Sequence, residues 1–328
     1  MVDIIIPVYN SRKTLPNALA SIYMQTFRDQ ISVTVVNDGG EESYGDICGH
    51  FKKMGMNIRI LRMTKNRGPG IARQVGMEHT HGEYIMFVDS DDCFYTPLVV
   101  ENLVTEMNSS GYNAISSNFV EQSDSGYLFK NTHITWVFGK IYRRSFIEDN
   151  NISFKFPYPS ANEDVAFNFH CFFLEALRLG YDTTETCPMN NVDIYSYLWK
   201  NNKESITRKT EDFAHKDGFF GFVENMMCLL LKLRKRFGID RTMMCAYEIF
   251  TVIYQLYNKF LVYNECDDET LNAIEEEIRR FFKIGMRDYA SNLDRIILAK
   301  RLDKNKIDFT STICPKITIE DFLSKFDC

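Results

Sequence analysis

Over the first 119 residues, short apolar runs alternate with amphipathic segments. Val2–Val8 is a β-branched run, long enough for a buried strand and too short for a helix. Residues 14–25 follow with helical spacing: Leu15, Leu19, Ile22 and Tyr23 share a face, Thr14 stands at the N-cap position, and Pro16 falls in the first turn. Residues 31–36, 58–63, 83–88 and 114–119 read as further strands, and 44–54, 70–79 and 97–107 as helices. Such alternation predicts an α/β fold with a mostly parallel sheet and flanking helices. From about Phe213 glycines thin out, and residues 219–233, 243–263, 269–282 and 293–302 read as helices. The expected division is an α/β domain over 1–210 and a helical region over 211–328, without a fixed-period repeat.

Composition adds limits. The 328 residues carry 38 basic and 44 acidic side chains, a net charge of -6, which argues against non-specific binding to a phosphate backbone. Nine cysteines form no CxxC pair, so neither a zinc ribbon nor a disulfide framework is expected. A reducing, cytoplasmic location fits them, as does a chain start that reads as a strand rather than a signal peptide. No stretch is apolar enough for a transmembrane segment; the nearest, residues 247–263, contains Glu248, Gln255 and Lys259. The helices beyond residue 210 offer a surface for a homo-oligomer or a membrane face, although aromatic positions of this kind are more often core.

In open parallel sheets, ligands bind beyond the carboxyl ends of the strands. The residues there are Pro7-Val8-Tyr9-Asn10, Asn37-Asp38-Gly39-Gly40, Asn66-Arg67-Gly68-Pro69-Gly70 leading to Arg73, and Asp89-Ser90-Asp91-Asp92. Four polar segments distant in sequence thus converge on one sheet edge. Three carboxylates within four residues repel one another unless a cation neutralises them, and hard oxygens at a strand end suit Mg²⁺ or Mn²⁺ shared with a phosphate. Asp38 suits the ring N–H of a uracil; a turn aspartate before glycine reads equally well. Glu163 and Asp164 open a further helical stripe, with Asn162 at its cap. They read as macrodipole partners or as a general base. Trp136 reads as an acceptor platform or a core residue. A Rossmann fingerprint and a Walker sequence are absent, as is the basic glycine-rich loop of a nucleotidyltransferase.

Taken together, these segments resemble the family-2 glycosyltransferases, inverting enzymes of the GT-A fold. The residues carrying the resemblance are Ile4-Ile5-Ile6-Pro7-Val8-Tyr9-Asn10, Val36-Asn37-Asp38-Gly39, Asn66-Arg67-Gly68 with Ala72-Arg73, and Phe87-Val88-Asp89-Ser90-Asp91-Asp92. Further on, Gly139-Lys140-Ile141-Tyr142-Arg143-Arg144 and Glu163-Asp164 look like an acceptor-side segment and an ED motif. Tyr195-Ser196-Tyr197 through Ser205-Ile206-Thr207 resembles a closing loop. The resemblance covers about residues 2–208.

It implies a nucleotide-sugar donor, usually UDP-linked, and Mn²⁺ or Mg²⁺. Donor contacts are expected from Pro7, Tyr9, Asn10, Asp38, Asn66, Gly68, Arg73, Asp89 and Ser90. Asp91 is the expected metal ligand, with Asp89 beside it and Asp92 as a substitute. Asp164 would be the base and Glu163 its neighbour at the acceptor or sugar. The acceptor would be a glycan, a lipid-linked sugar, a protein or another hydroxyl. The chain departs from the family in having Asn37 and Gly40 where Asp and Ser are usual. It also has no His between His170 and His215 for the metal, leaving Lys200, Lys203 or Arg208 to neutralise the diphosphate. Two rival functions are a non-catalytic sugar-nucleotide-binding protein on the same fold and a metal-dependent phosphohydrolase.

Overall fold

The computed structural model describes residues 1–123, 126–132, 134, 136–158, 162–180, 190–200, 216–263, 267–289 and 316–326. Two compact units divide the chain: Met1–Arg178 with Pro188–Arg208, and Leu179–Cys187 with Lys209–Cys328.

The first unit begins with strands β1 (Val2–Val8), β2 (Ile31–Asn37), β3 (Ile58–Arg62) and β4 (Tyr84–Phe87). Between them lie helices α1 (Leu15–Tyr23), α2 (Gly45–Lys53) and α3 (Pro69–Glu78). Then come β5 (Cys93–Phe94), α4 (Val99–Ser110), β6 (Ala114–Ser123), β7 (Gly126–Lys130), β8 (Lys140–Arg143), α5 (Arg144–Asp149), α6 (Glu163–Leu179) and β9 (Asn191–Trp199). The nine strands of the described residues form one sheet in the order β3-β2-β1-β4-β8-β6-β9-β5, with β7 on β6. The block β3-β2-β1-β4 is parallel. β1 at its centre is buried along its whole length, which is why its sequence is a continuous apolar run rather than an alternation. Its two faces are packed differently: Val2, Ile4, Ile6 and Val8 join the main core, while a Cβ on Gly76 of α3 would lie 2.4 Å from Ile5 Cγ2.

Beyond β4 the sheet becomes mixed. β8 runs antiparallel to both β4 and β6, and β9 is parallel to β6. The sequence pattern gave no sign of β5, β7, β8 or β9. β5 and β8 are too short for a period to show, and β7 exposes Tyr127, Leu128 and Phe129. The expected cap at Thr14 is absent: its hydroxyl donates to Ser11 O (3.3 Å) and caps no helix N–H.

The edge of the sheet opposite the strand C-termini is locked by Arg144. Its guanidinium donates to Gly82 O (2.6 Å), Met77 O (3.1 Å), Thr80 Oγ1 (2.7 Å) and Asp3 Oδ2 (2.8 Å). Asp3 also accepts from Gly82 N. A buried charge this fully hydrogen-bonded ties α5, α3, β1 and the turn before β4 into one frame.

The second unit contains α7 (Lys216–Phe237), α8 (Ile239–Tyr263), α9 (Asp268–Ile284) and α10 (Ile319–Lys325). Asp267 and Thr318 cap α9 and α10, accepting from Thr270 N and Asp321 N. Phe250, Tyr257, Phe282, Phe322 and Phe326 form an interlocking aromatic cluster. Among the described large apolar residues of this unit, Ile284 is the exposed one. The described aromatic positions of this unit are buried or half-buried. No helix among the described residues is long and apolar enough to cross a membrane. The helix expected over 293–302 lies outside the described residues.

Candidate functional site

Because β1, β2 and β4 are parallel, their C-terminal ends deliver three turns to the same edge. Pro7 is buried in β1, opposite Val36. Tyr9 and Asn10 emerge from it exposed, Asn10 with φ 53°, in the left-handed region where Asn is tolerated. Ser90 Oγ, from the turn after β4, donates to Ser11 Oγ (2.9 Å), so these two turns touch.

Asp38 is buried, and its Oδ1 accepts the Arg67 N–H at 2.8 Å. Burial pushes this carboxyl up from its ordinary value, against the Arg67 and Gly68 backbone N–H groups. One carboxylate oxygen thus holds the loop after β3 in place. Gly39 makes room for that loop: a Cβ there would sit 2.2 Å from the Lys65 carbonyl carbon. Asn66 stands exposed in the loop, and its Oδ1 accepts the Gly68 N–H (3.0 Å). Gly68 has φ 85° and ψ 162°, a conformation essentially restricted to glycine. Asn37 also belongs to this frame. Its amide donates to Gly40 O (3.3 Å) and Glu42 O (3.0 Å) and accepts from Gly40 N (2.9 Å).

The centre of the site is Arg73, the fifth residue of α3. It is 5% exposed, and its guanidinium forks between two carboxylates. Nη2 donates to Asp89 Oδ1 at 2.8 Å and Nη1 to Glu163 Oε1 at 3.0 Å. The Phe154 ring lies 5.9 Å from the guanidinium carbon. The β4 turn and the N-terminus of α6 are thereby joined through one cation. Arg73 stays charged, since Asp89, Glu163 and Asp164 outweigh its burial. Burial raises both Glu163 and Asp164, helped at Glu163 by the charges of Asp164 and Asp89 and at Asp164 by that of Asp89; Arg73 opposes this for each, and Lys140 opposes it for Asp164. Asp164 is the more accessible of the two. Asn162 precedes them, its carbonyl accepting the Ala166 N–H.

Asp92 is placed differently from Asp89 and Asp91. It is 2% exposed, and its Oδ1 accepts the Lys200 N–H (2.8 Å). Tyr197 also bonds to it, while the Tyr197 hydroxyl accepts the Asp89 N–H (2.9 Å). Burial, with Asp91 and Asp89 nearby, holds the Asp92 carboxyl well above its usual range. Asp92 therefore fastens the turn to the end of β9, and the substitute-ligand reading does not suit its placement. Lys200 contributes a backbone N–H here; Lys203 and Arg208 lie outside the described residues. Tyr197, expected in a closing loop, lies in β9. Its link to Asp89 and Asp92 had no signal in the sequence. Trp136 is half-buried among Phe119, Phe138 and Trp199.

Among the described residues no three His, Cys, Asp or Glu side chains surround one point in a metal cage. Asp89 and Asp91 offer hard oxygens, and Asp89 Oδ1 is already engaged by Arg73. This donor set fits a Mg²⁺ or Mn²⁺ held by one or two carboxylates and completed by substrate phosphate and water.

Residues 3–169 match the family model for glycosyl transferase family 2. The chain belongs to this family. EpsH of Bacillus subtilis is 30% identical over 193 residues, 52% of this chain and 56% of that relative. The poly(ribitol-phosphate) beta-N-acetylglucosaminyltransferase TarS of Staphylococcus aureus is 27% identical over 192 residues, 54% of this chain and 33% of TarS. The match thus spans about half of EpsH and a third of TarS. The fold of this family-2 chain is the TarS-like GT-A fold followed by helices. S. aureus TarS 1–349 in complex with UDP-GlcNAc superposes with a TM-score of 0.67 at 18% identity, covering 87% of this chain and 81% of that one. The mannosyltransferase PcManGT from Pyrobaculum calidifontis, in complex with GDP-Man and Mn²⁺, gives a TM-score of 0.51 at 12% identity, covering 94% and 88%.

Proposed function

We propose that this family-2 glycosyltransferase moves a sugar from a UDP-sugar to an acceptor hydroxyl by a single inverting displacement. The observation that carries the reading is the Arg73 fork, which joins donor-side Asp89 to the helix start bearing Glu163 and Asp164. A protein that only sensed a sugar nucleotide has no use for that second acidic pair. Asp38, Gly39 and the 65–68 loop form the nucleoside end, and Asp89 and Asp91 face the diphosphate. A Mg²⁺ or Mn²⁺ bound there supplies charge neutralisation for the departing diphosphate. Asp164 accepts the acceptor hydroxyl's proton as the oxygen attacks the anomeric carbon. Glu163, held by Arg73, orients the sugar or acceptor. UDP-GlcNAc, the ligand of TarS, is the donor to try first. A cytoplasmic location is part of the proposal, supported by five described cysteines that are all unbridged.

The test is a thermal-shift titration with UDP and UDP-GlcNAc, with and without Mn²⁺, beside an assay for UDP release. Binding to the native state raises the melting temperature by mass action. A metal-dependent rise with UDP release is the expected result. Inorganic phosphate in place of UDP would move the assignment to a phosphohydrolase, and no shift with any pyrimidine nucleotide would remove the donor site.

A further inference from the structure

The floor beneath the base contains a lysine that the reaction as described does not use. Lys140 begins β8 and is 0% exposed. Residues two apart on a strand share a face, so Lys140 and Tyr142 point the same way. Tyr142 meets α6, its hydroxyl donating to Asn168 Oδ1 at 2.7 Å, with its ring 5.4 Å from that of Phe167. Asp164 and Asn168 are one helical turn apart and share a face of α6. The register therefore sets Tyr142 against Asn168 and Lys140 towards Asp164. The Lys140 ammonium donates to Trp136 O. Asn168 Nδ2 donates to the same carbonyl at 2.8 Å and to Ile134 O at 2.7 Å. The strand, the helix and the carbonyls of Ile134 and Trp136 are thus pinned together.

We propose that Lys140 is a positioning residue for catalysis: it anchors the Trp136 main chain against α6 and keeps Asp164 ionised through its charge. The proposal rests on the transferase reading above. Burying an ammonium is costly unless a negative group faces it. Burial pushes Lys140 down to about 7, and Asp164 is the group that holds it up. Every element around Asp164 contributes a charged or titratable group: Arg73 from α3, Asp89 from the turn after β4, Lys140 and Tyr142 from β8, and Glu163 from α6 itself. Arg73 is shared among three carboxylates, whereas the charge that raises Lys140 is that of Asp164. Losing Lys140 therefore removes a cation from the base in particular.

Two measurements test this. In protein labelled with ¹³C at lysine Cε, one resonance should titrate far below the ordinary lysine range. It should be lost in Lys140→Arg, and Asp164→Asn should lower its midpoint by about one unit, the low end of what an opposite charge supplies. This needs neither substrate nor a neutral variant. If every lysine titrates normally, or the low midpoint ignores Asp164→Asn, the proposal fails. The second measurement follows UDP-GlcNAc turnover with Mn²⁺ and water as acceptor across pH. Lys140→Met should leave UDP affinity within about twofold and move the acidic limb up by about one unit, because a carboxyl losing a nearby cation is easier to protonate. Lys140→Arg should restore most of that limb. An unmoved limb in Lys140→Met overturns the proposal. A wild-type protein that never turns over UDP-GlcNAc instead counts against that donor, and the lysine titration still decides the role of Lys140.

Discussion

Replacing Arg73 by Met isolates the one cation on which the acidic site is built. Methionine keeps much of the stem volume and the contact with Phe154, but it strands the carboxylates of Asp89 and Glu163. Removing one partner of a buried ion pair costs about 3–5 kcal/mol. The two ends contribute unequally. The Asp89 side chain is 31% exposed and can recover water, while that of Glu163 is 5% exposed and cannot. The expected loss at pH 8 is therefore near the bottom of the range, about 3 kcal/mol, and comes mostly from Glu163. Its sign with pH follows from the raised acids. Glu163 and Asp164 bind protons more tightly folded than unfolded, so stability is full below the ordinary carboxyl range and falls as pH rises through their folded values. Without Arg73 both rise further, so the fall becomes steeper and the variant's deficit at pH 5 is smaller than at pH 8. Urea unfolding followed by tryptophan fluorescence reads this in the first unit, because both tryptophans, Trp136 and Trp199, lie there. Adding Glu163→Gln should recover part of the loss at pH 8, because a buried glutamine is neutral without first having to take up a proton. A deficit below about 1 kcal/mol, or one equal at both pH values, would refute the reasoning, since exposed pairs behave in that way.

Asp164→Asn should cut turnover by about 10²–10⁴-fold with UDP affinity near wild type, whereas Asp91→Ala should abolish the Mn²⁺-dependent part of the UDP thermal shift; calorimetry beside a rate assay separates the two. Gly39→Ala puts a Cβ against the Lys65 backbone at φ 73°, so it should cost about 1–3 kcal/mol or more and weaken UDP binding, measured by melting temperature and titration. Arg144→Met strands Asp3 at the far edge of the sheet and should cost about 3–5 kcal/mol in urea unfolding, while UDP affinity at a temperature where the variant is folded stays unchanged.

The parallel half of the fold was legible because its strands are buried on both faces and its helices on one. A run such as Val2–Val8 has no other stable reading. The mixed half was not, because its strands are specified by partners rather than by period. β8 is four residues long and lies between β4 and β6, which are distant in sequence. β9 pairs with β6 through register shifts near Asn118, which break the alternation that a sequence reading depends on. In the second unit, helix boundaries moved by only a few residues, but α10 gave no signal, being seven residues long.

The site divides along the same line. Residues just beyond buried strands could be named, because a parallel sheet sends every strand's carboxyl end to one edge. What joins them could not. Arg73 and Glu163 are ninety residues apart, and their contact depends on how α6 lies against the sheet. Asn37 shows the limit most clearly. Set against the acid usual in the family, it looked like a lost carboxylate at the base site. Its amide instead donates to Gly40 O and Glu42 O while accepting from Gly40 N. An ionised Asp can only accept, and would face two carbonyl oxygens without a proton to offer. The residue at 37 thus closes the turn that aims Asp38, and its amide serves that role better than an acid would.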